Sequence, residues 1–219
     1  MTFPRRSQRH VRTLVDRSVS GTTEHALVRS VRSTPPCFDQ TVSVTLGTPG
    51  PGDAAAVAEL KVDTFVETYA SGNDPGELAV HTARAFDPAV VAQQLADPRC
   101  ITLWLLDQSR PVGYIKLNTG DAQTVEGLAD GLEVEQLYVR ASHLGQGLGL
   151  LLLSRATKAA TDLGLPYLWL GVWERNEKAI AFYEHVGFEA FDAHVFMLGR
   201  EEQRDVLMRL PLTSVRADS

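Results

Sequence analysis

The sequence predicts an α/β domain of the α+β type, and three observations carry that prediction. A β-prone run over residues 132–139 passes through glycines 145, 147 and 149 into a strongly helical run ending near Leu163. A second apolar run, Tyr167-Leu168-Trp169-Leu170-Gly171-Val172, precedes a helix that Asn176 caps and Gly187 stops. Two further pairs of β runs, 101–106 with 111–118 and 193–198 with 206–212, read as antiparallel hairpins. At 219 residues there is material for one sizeable core, and no internal repeat is visible.

Taken in order, residues 1–36 are rich in Arg, Ser and Thr without an apolar period, and are expected to be a disordered extension closed by Thr34-Pro35-Pro36. The domain itself is expected over residues 41–212. Alternation starts at Thr41, with Val42, Val44 and Leu46 on one side of a first strand. Gly50-Pro51-Gly52-Asp53 is a turn ending in an N-cap, and its helix gathers Val57, Leu60, Phe65, Val66 and Tyr69 near one face. Residues 71–83 are expected to form a loop. Asp87-Pro88 caps a short helix to Ala96, with proline at the first helical position. Asp107-Gln108-Ser109-Arg110 joins the first hairpin, and residues 119–131 form a polar loop that the sequence does not distinguish from a lid. Residues 199–205 join the closing strands.

Charge is uneven along the chain. Seven arginines in the first 36 residues, against Asp16 and Glu24, give +5 there, which leaves about −11 on the rest of a chain whose total is −6. The acidic body argues against a nucleic-acid surface and permits a cationic substrate, although a generic acidic enzyme has the same balance. The extension resembles an organelle transit segment in being Arg-rich and acid-poor, but it has no apolar h-region for a signal peptide. Leu148 to Leu153 is the kind of apolar run present, too short for a bilayer, so no membrane partner is expected. Cys37 and Cys100 lie apart without metal-ligand spacing and suit a reduced, cytoplasmic setting.

The turn Leu144-Gly145-Gln146-Gly147-Leu148-Gly149 carries the chemistry. Alternate glycines leave the main chain uncovered, and a helix N-terminus adds unpaired N–H donors and the positive end of a dipole, so the bend suits a phosphate. A tight strand-to-helix turn without a ligand reads the same way from the turn alone. Leu137-Tyr138-Val139 ahead of Gly145-x-Gly147-x-Gly149, and Asn176-x-x-Ala179-x-x-Phe182-Tyr183-x-x-x-Gly187-Phe188 behind it, together resemble the GCN5-related N-acetyltransferases (GNAT). Segments such as Phe65-Val66-Glu67-Thr68-Tyr69, Gly113-Tyr114-Ile115-Lys116-Leu117-Asn118 and His194-Val195-Phe196-Met197-Leu198-Gly199 extend a likeness to PaiA-type spermidine/spermine N-acetyltransferases over roughly residues 41–212. The family's loop usually begins with Arg or Gln. Leu144 stands there in this chain, which removes a side-chain contact and keeps the backbone donors.

The resemblance implies a GNAT fold: a mixed, mostly antiparallel sheet of about six or seven strands, splayed at strands four and five, with about four flanking helices. It implies acetyl-CoA as co-substrate and direct transfer of acetyl to a small-molecule amine, a polyamine such as spermidine or spermine. It also implies that Leu137, Tyr138 and Val139 line the pantetheine, that residues 144–149 hold the pyrophosphate, and that Asn176 adds a contact. Tyr183 is then the acid for the leaving thiolate, or simply the polar-tipped member of an apolar stripe. Glu133 and Glu135 are candidate bases; two apart on a strand, they should share a face, with Val134 and Gln136 on the other. Glu67, Asp74 and Glu77 are candidate amine contacts or solvated charges. No metal is expected, since the histidines and cysteines lack ligand spacing, and no Ser-His-Asp signature surrounds Ser142 or Ser154. A nicotinamide-dinucleotide domain fits poorly, because the spacing is Gly-x-Gly-x-Gly rather than Gly-x-Gly-x-x-Gly. A peptide or protein amine as acceptor, and a non-catalytic acyl-CoA sensor, stay open, as does assembly as a homodimer.

Overall fold

The computed structural model describes residues 24–27, 43–198 and 200–212. Their strands form one sheet in the order β1 (Glu24–Leu27), β2 (Ser43–Gly47), β3 (Cys100–Asp107), β4 (Arg110–Asn118), β5 (Leu132–Val139), β6 (Tyr167–Trp173), β8 (Glu201–Pro211), β7 (Glu189–Leu198). Neighbours run antiparallel except β5 and β6, the mixed and mostly antiparallel arrangement expected. The strand beyond the expected number is β1, which pairs with β2 from within the N-terminal extension. The other residues of that extension, Cys37 among those before β2, lie outside the described residues.

Among the described residues, five α-helices flank the sheet: α1 (Ala54–Tyr69), α2 (Pro75–Ala85), α3 (Pro88–Ala96), α4 (Leu148–Asp162) and α5 (Glu177–Val186). Alternation sorts the strand residues onto two faces. Ile115, Leu117, Leu132, Val134, Leu168, Leu170 and Val172 pack with Leu148, Leu152 and Ala156 of α4 and Tyr183 of α5. The opposite face is covered by α1 to α3, where Phe65, Leu78 and Phe86 meet Tyr138 and the Phe196 and Leu198 side chains of β7.

Two boundaries differ from expectation. The segment expected as a loop at 71–83 contains α2, whose N-cap Asp74 accepts from Gly76 N at 2.8 Å and Glu77 N at 3.1 Å with Pro75 at the first helical position. The same Asp-Pro device opens α3, so the signal was present and Gly76 obscured it. The closing hairpin is also longer than expected. Glu201 to Asp205, charged except at Gln203, belong to β8 rather than a connection, because an edge hairpin leaves alternate side chains in water. Its tip is held by Glu77, whose carboxylate accepts from Arg200 N at 2.8 Å and Arg200 Nη2 at 2.6 Å, and these bonds hold the carboxyl below its ordinary range.

Lys61 of α1 is 2 % exposed; its Nζ donates to Gln94 Oε1 at 3.2 Å and lies 5.6 Å from the Tyr114 ring centroid. Burial, reinforced by Lys116, lowers its pKa from 10.5 to about 8. Between those values the unfolded chain binds more protons than the folded one, so the burdened native state gains stability as pH rises from 8 towards 10.5. Lys61→Met is therefore expected to unfold at a higher temperature than the parent at pH 7. The gap should narrow by up to about 3 kcal/mol towards pH 10.5 in paired denaturation curves.

Candidate active site

A gap in the sheet sets the site. β5 and β6 pair only at Leu132↔Leu168 and Glu133↔Trp169. Beyond these, β5 stays with β4 as far as Gly113↔Val139, and β6 stays with β8 as far as Trp173↔Asp205. Among the described residues, the gap-facing main chain of Val134 to Val139 has no strand partner, which leaves an edge that an extended amide-bearing arm can join. The Leu137 and Val139 side chains turn away from it into the core beneath α4.

The gap opens next to a bulge. Lys116 is opposite Gln136 and Leu117 opposite Val134, so Glu135 is the extra residue on β5. The expected alternation therefore fails at Gln136, which registers with Lys116 instead of lying on the reverse face. Glu133 and Glu135 still converge: Asn118 Nδ2 donates to Glu133 Oε2 at 2.8 Å and to Glu135 Oε2 at 2.5 Å. Neither carboxylate stands alone. Glu135 is ion-paired with the buried Lys116, and Glu133 accepts from Thr124 N at 3.0 Å and from the Thr124 hydroxyl. Burial raises the Glu133 pKa against the pull of the Thr124 and Asn118 bonds. With Gln123 Nε2 donating to Gly131 O at 2.7 Å, these contacts tie the 119–131 loop to the sheet.

At the end of β5 the chain makes a one-turn 3-10 segment, Ala141–His143, and enters the glycine turn. Gly145 and Gly147 have φ of 73° and 78°, the left-handed region where a Cβ is strained. Both are exposed, and nothing lies within 4 Å of a Cβ built on Gly145. Gly147 caps α4, whose first internal bond runs from Leu151 N to Gly147 O at 3.0 Å, so the preceding N–H groups are free of helical acceptors. Leu148 is buried and seats the helix, Leu144 is 63 % exposed, and Gln146 Nε2 bonds back to Ser142 O at 3.4 Å. A Cβ on Gly149 would lie 3.2 Å from the Phe182 ring, so that glycine sets the approach of α5 to α4. Bare donors, a helix N-terminus and open space are what a diphosphate requires, and the residues fit it.

The turn is braced from behind by side chains that the sequence did not single out for this role. Ala141 N donates to Glu67 Oε2 at 2.7 Å, and Arg140 pairs with Asp63 at 2.9 Å. His143 lies 3.3 Å from Asp107 Oδ2 and 2.8 Å from Ser142 Oγ, a Ser–His–Asp row that the local sequence did not disclose because Asp107 comes from the β3–β4 hairpin. Glu67, Asp74 and Glu77, candidates for amine contacts, are engaged in this bracing, in capping α2 and in holding Arg200.

Tyr183 and Asn176 approach the gap from α5. Tyr183 is 8 % exposed, edge-on to Phe188 at 5.5 Å, and burial raises its phenol above the ordinary value. It therefore stays protonated through neutral pH. Asn176 Oδ1 accepts from Ala179 N at 3.2 Å, while its side chain is also close to the Tyr69 hydroxyl. Tyr69 of α1 spans the opening from the other face, 5.9 Å from Trp173 of β6 and 6.5 Å from Tyr138 of β5. The Tyr138 hydroxyl donates to that of Tyr69 at 3.3 Å. Beyond Trp173 lies a cleft of about 540 Å³ between the α1–α2 turn and the β7–β8 hairpin, its lining including Asn73, Glu174, His194 and Arg204. Among the described residues no group of His, Cys, Asp and Glu could hold a metal ion, and no helix is long and apolar enough to cross a membrane.

Comparison with known proteins agrees with this geometry. The model of the acetyltransferase (GNAT) family matches residues 63–188. An uncharacterised N-acetyltransferase of Lactobacillus delbrueckii subsp. lactis is 35% identical over 150 residues, 68% of this chain and 87% of the relative. One from Mycobacterium tuberculosis is 30% identical over 71% of this chain and 96% of its own length. The PaiA N-acetyltransferase of Thermoplasma acidophilum, solved in complex with coenzyme A, superposes with a TM-score of 0.65. It covers 78% of this chain and 99% of its own at 18% identity, which is a likeness of fold.

Proposed function

This chain belongs to the acetyltransferase (GNAT) family and is an acetyl-CoA-dependent N-acetyltransferase, and on that premise we propose that its acceptor is a polyamine such as spermidine or spermine. The supporting observation is the cleft beside Trp173, whose lining includes the acidic residues Glu174, Glu201 and Glu202 on a body that is itself acidic. Carboxylates around a concave surface concentrate cations and give a long polyamine places to rest its unreacted ammonium groups. In the same proposal acetyl-CoA lies along the β5 edge with its diphosphate on residues 144–149. Tyr183 then donates a hydrogen bond to the departing sulfur. A cytoplasmic place of action suits the pair of widely separated cysteines.

A second reading has its own support. Arg175 and Arg204 line the same cleft, and Arg204 Nη1 is 3.4 Å from Glu174 Oε2. Guanidinium groups suit the carbonyls and carboxylates of a peptide bearing a free amine. A thiol-release assay separates the two. Spermidine is expected to give a kcat/KM at least tenfold above an N-terminal peptide, and the reverse order would assign the acceptor to the peptide class.

A further inference from the structure

We infer that His194 takes the proton from the acceptor's ammonium group, with Asp205 as the anion that steadies the resulting imidazolium; the inference rests on the acetyl-transfer reading above. Both candidate carboxylates on β5 are engaged, Glu135 by Lys116 and Glu133 by Thr124, so neither is a ready base. A different pair faces the acceptor side of the gap. His194 of β7 is directly opposite Asp205 of β8, and Asp205 is in turn opposite Trp173 of β6. Cross-strand partners share a face, which is the face that carries Tyr69.

Gly171 makes room for the pair. It is an exposed position on β6, past the last β5 pairing, and the point where its Cβ would stand is 3.4 Å from both His194 Nε2 and Asp205 Oδ2. The two groups thus border one small space at the splayed part of the sheet. His194 Nδ1 lies 2.9 Å from Val195 O, and a carbonyl only accepts. Nδ1 therefore carries the hydrogen, and Nε2 presents its lone pair to the space above Gly171. Asp205 is partly buried, and burial raises its carboxyl pKa while the nearby His194 opposes the rise. The other charged residues that line the cleft with His194 are Glu174, Arg175, Glu201, Glu202 and Arg204, together one unit negative.

In the step, the ammonium gives one proton to Nε2, and the freed nitrogen lone pair forms the C–N bond at the thioester carbonyl. The C–S bond breaks with its electrons on sulfur, and the nitrogen's second proton ends on the thiolate. The imidazolium releases its proton to the open cleft. The products are the acetamide, free thiol and one proton, with no other reactant required.

The test uses full-length protein, acetyl-CoA and the amine that the parent turns over best. His194→Ala should lower kcat/KM at pH 7 by about 100-fold or more, leave the Kd for acetyl-CoA within twofold, and remove the acidic limb of the pH profile. Added imidazole should restore His194→Ala at least tenfold and leave the parent unchanged. His194→Gln, which keeps a polar side chain on the hairpin, should be as slow but not rescued, and Asp205→Asn should fall about tenfold. An active parent whose histidine variants keep rate and pH profile overturns this assignment alone. A parent inert towards every amine overturns the acetyl-transfer reading with it.

Discussion

Tyr183→Phe is expected to lower kcat by about 10²- to 10³-fold while leaving the acetyl-CoA Kd within a factor of two. Burial holds the phenol above its ordinary pKa, so complete proton transfer to a thiolate, whose conjugate acid titrates near ~8.5, is uphill. The hydroxyl instead contributes as a fixed donor towards charge developing on sulfur, and removing one such donor costs about 3–4 kcal/mol of transition-state stabilisation. The ring itself is a packing element against Phe182 and Phe188, and phenylalanine preserves that volume. The thermal midpoint should therefore stay within a few degrees of the parent. A variant that loses rate together with stability would put Tyr183 in the core rather than in the chemistry.

Gly145→Val is expected to raise the acetyl-CoA Kd by about 100-fold or more. The position has φ of 73°, and nothing lies within 4 Å of its Cβ, so the added side chain enters the space that the diphosphate would fill. Backbone strain alone costs about 1–3 kcal/mol and must be separated from occlusion. The chain supplies its own control in Gly164, at the opposite end of α4, with φ of 70° and equally open space at its Cβ. Gly164→Val should lose comparable stability and keep the parent's affinity. Equal affinity losses in the two variants would attribute the effect to folding.

Much of this site was legible in the sequence because its signals are local. A strand, three spaced glycines and an apolar helix already mark one bend as suited to a diphosphate, and Asn176 with Gly187 already bounds α5. What escaped the sequence depends on pairing between distant segments. The bulge at Glu135 exists only in the register with β4, and it alone moves Gln136 to the Lys116 side. The neutralisation of Glu135 needs Lys116 from another strand, and the bracing of His143 needs Asp107 from a hairpin 36 residues away. α2 is a different case. Asp74-Pro75 is the same cap as Asp87-Pro88, and the following glycine outweighed it in a propensity reading. Trp173 and Tyr69 were visible as apolar residues, but their meeting across the gap follows from the splay of β5 from β6.

The central claim is that uncovered main chain at the β5–α4 turn grips the diphosphate of acetyl-CoA. The most direct measurement is a titration of acetyl-CoA into 15N-labelled protein, following the amide resonances of Gly145, Gln146, Gly147, Leu148 and Gly149. Large saturable downfield shifts of several of these amides, with smaller shifts at Leu137 and Val139 along the strand edge, are the predicted result. Saturation of binding with the five turn amides unmoved would contradict it.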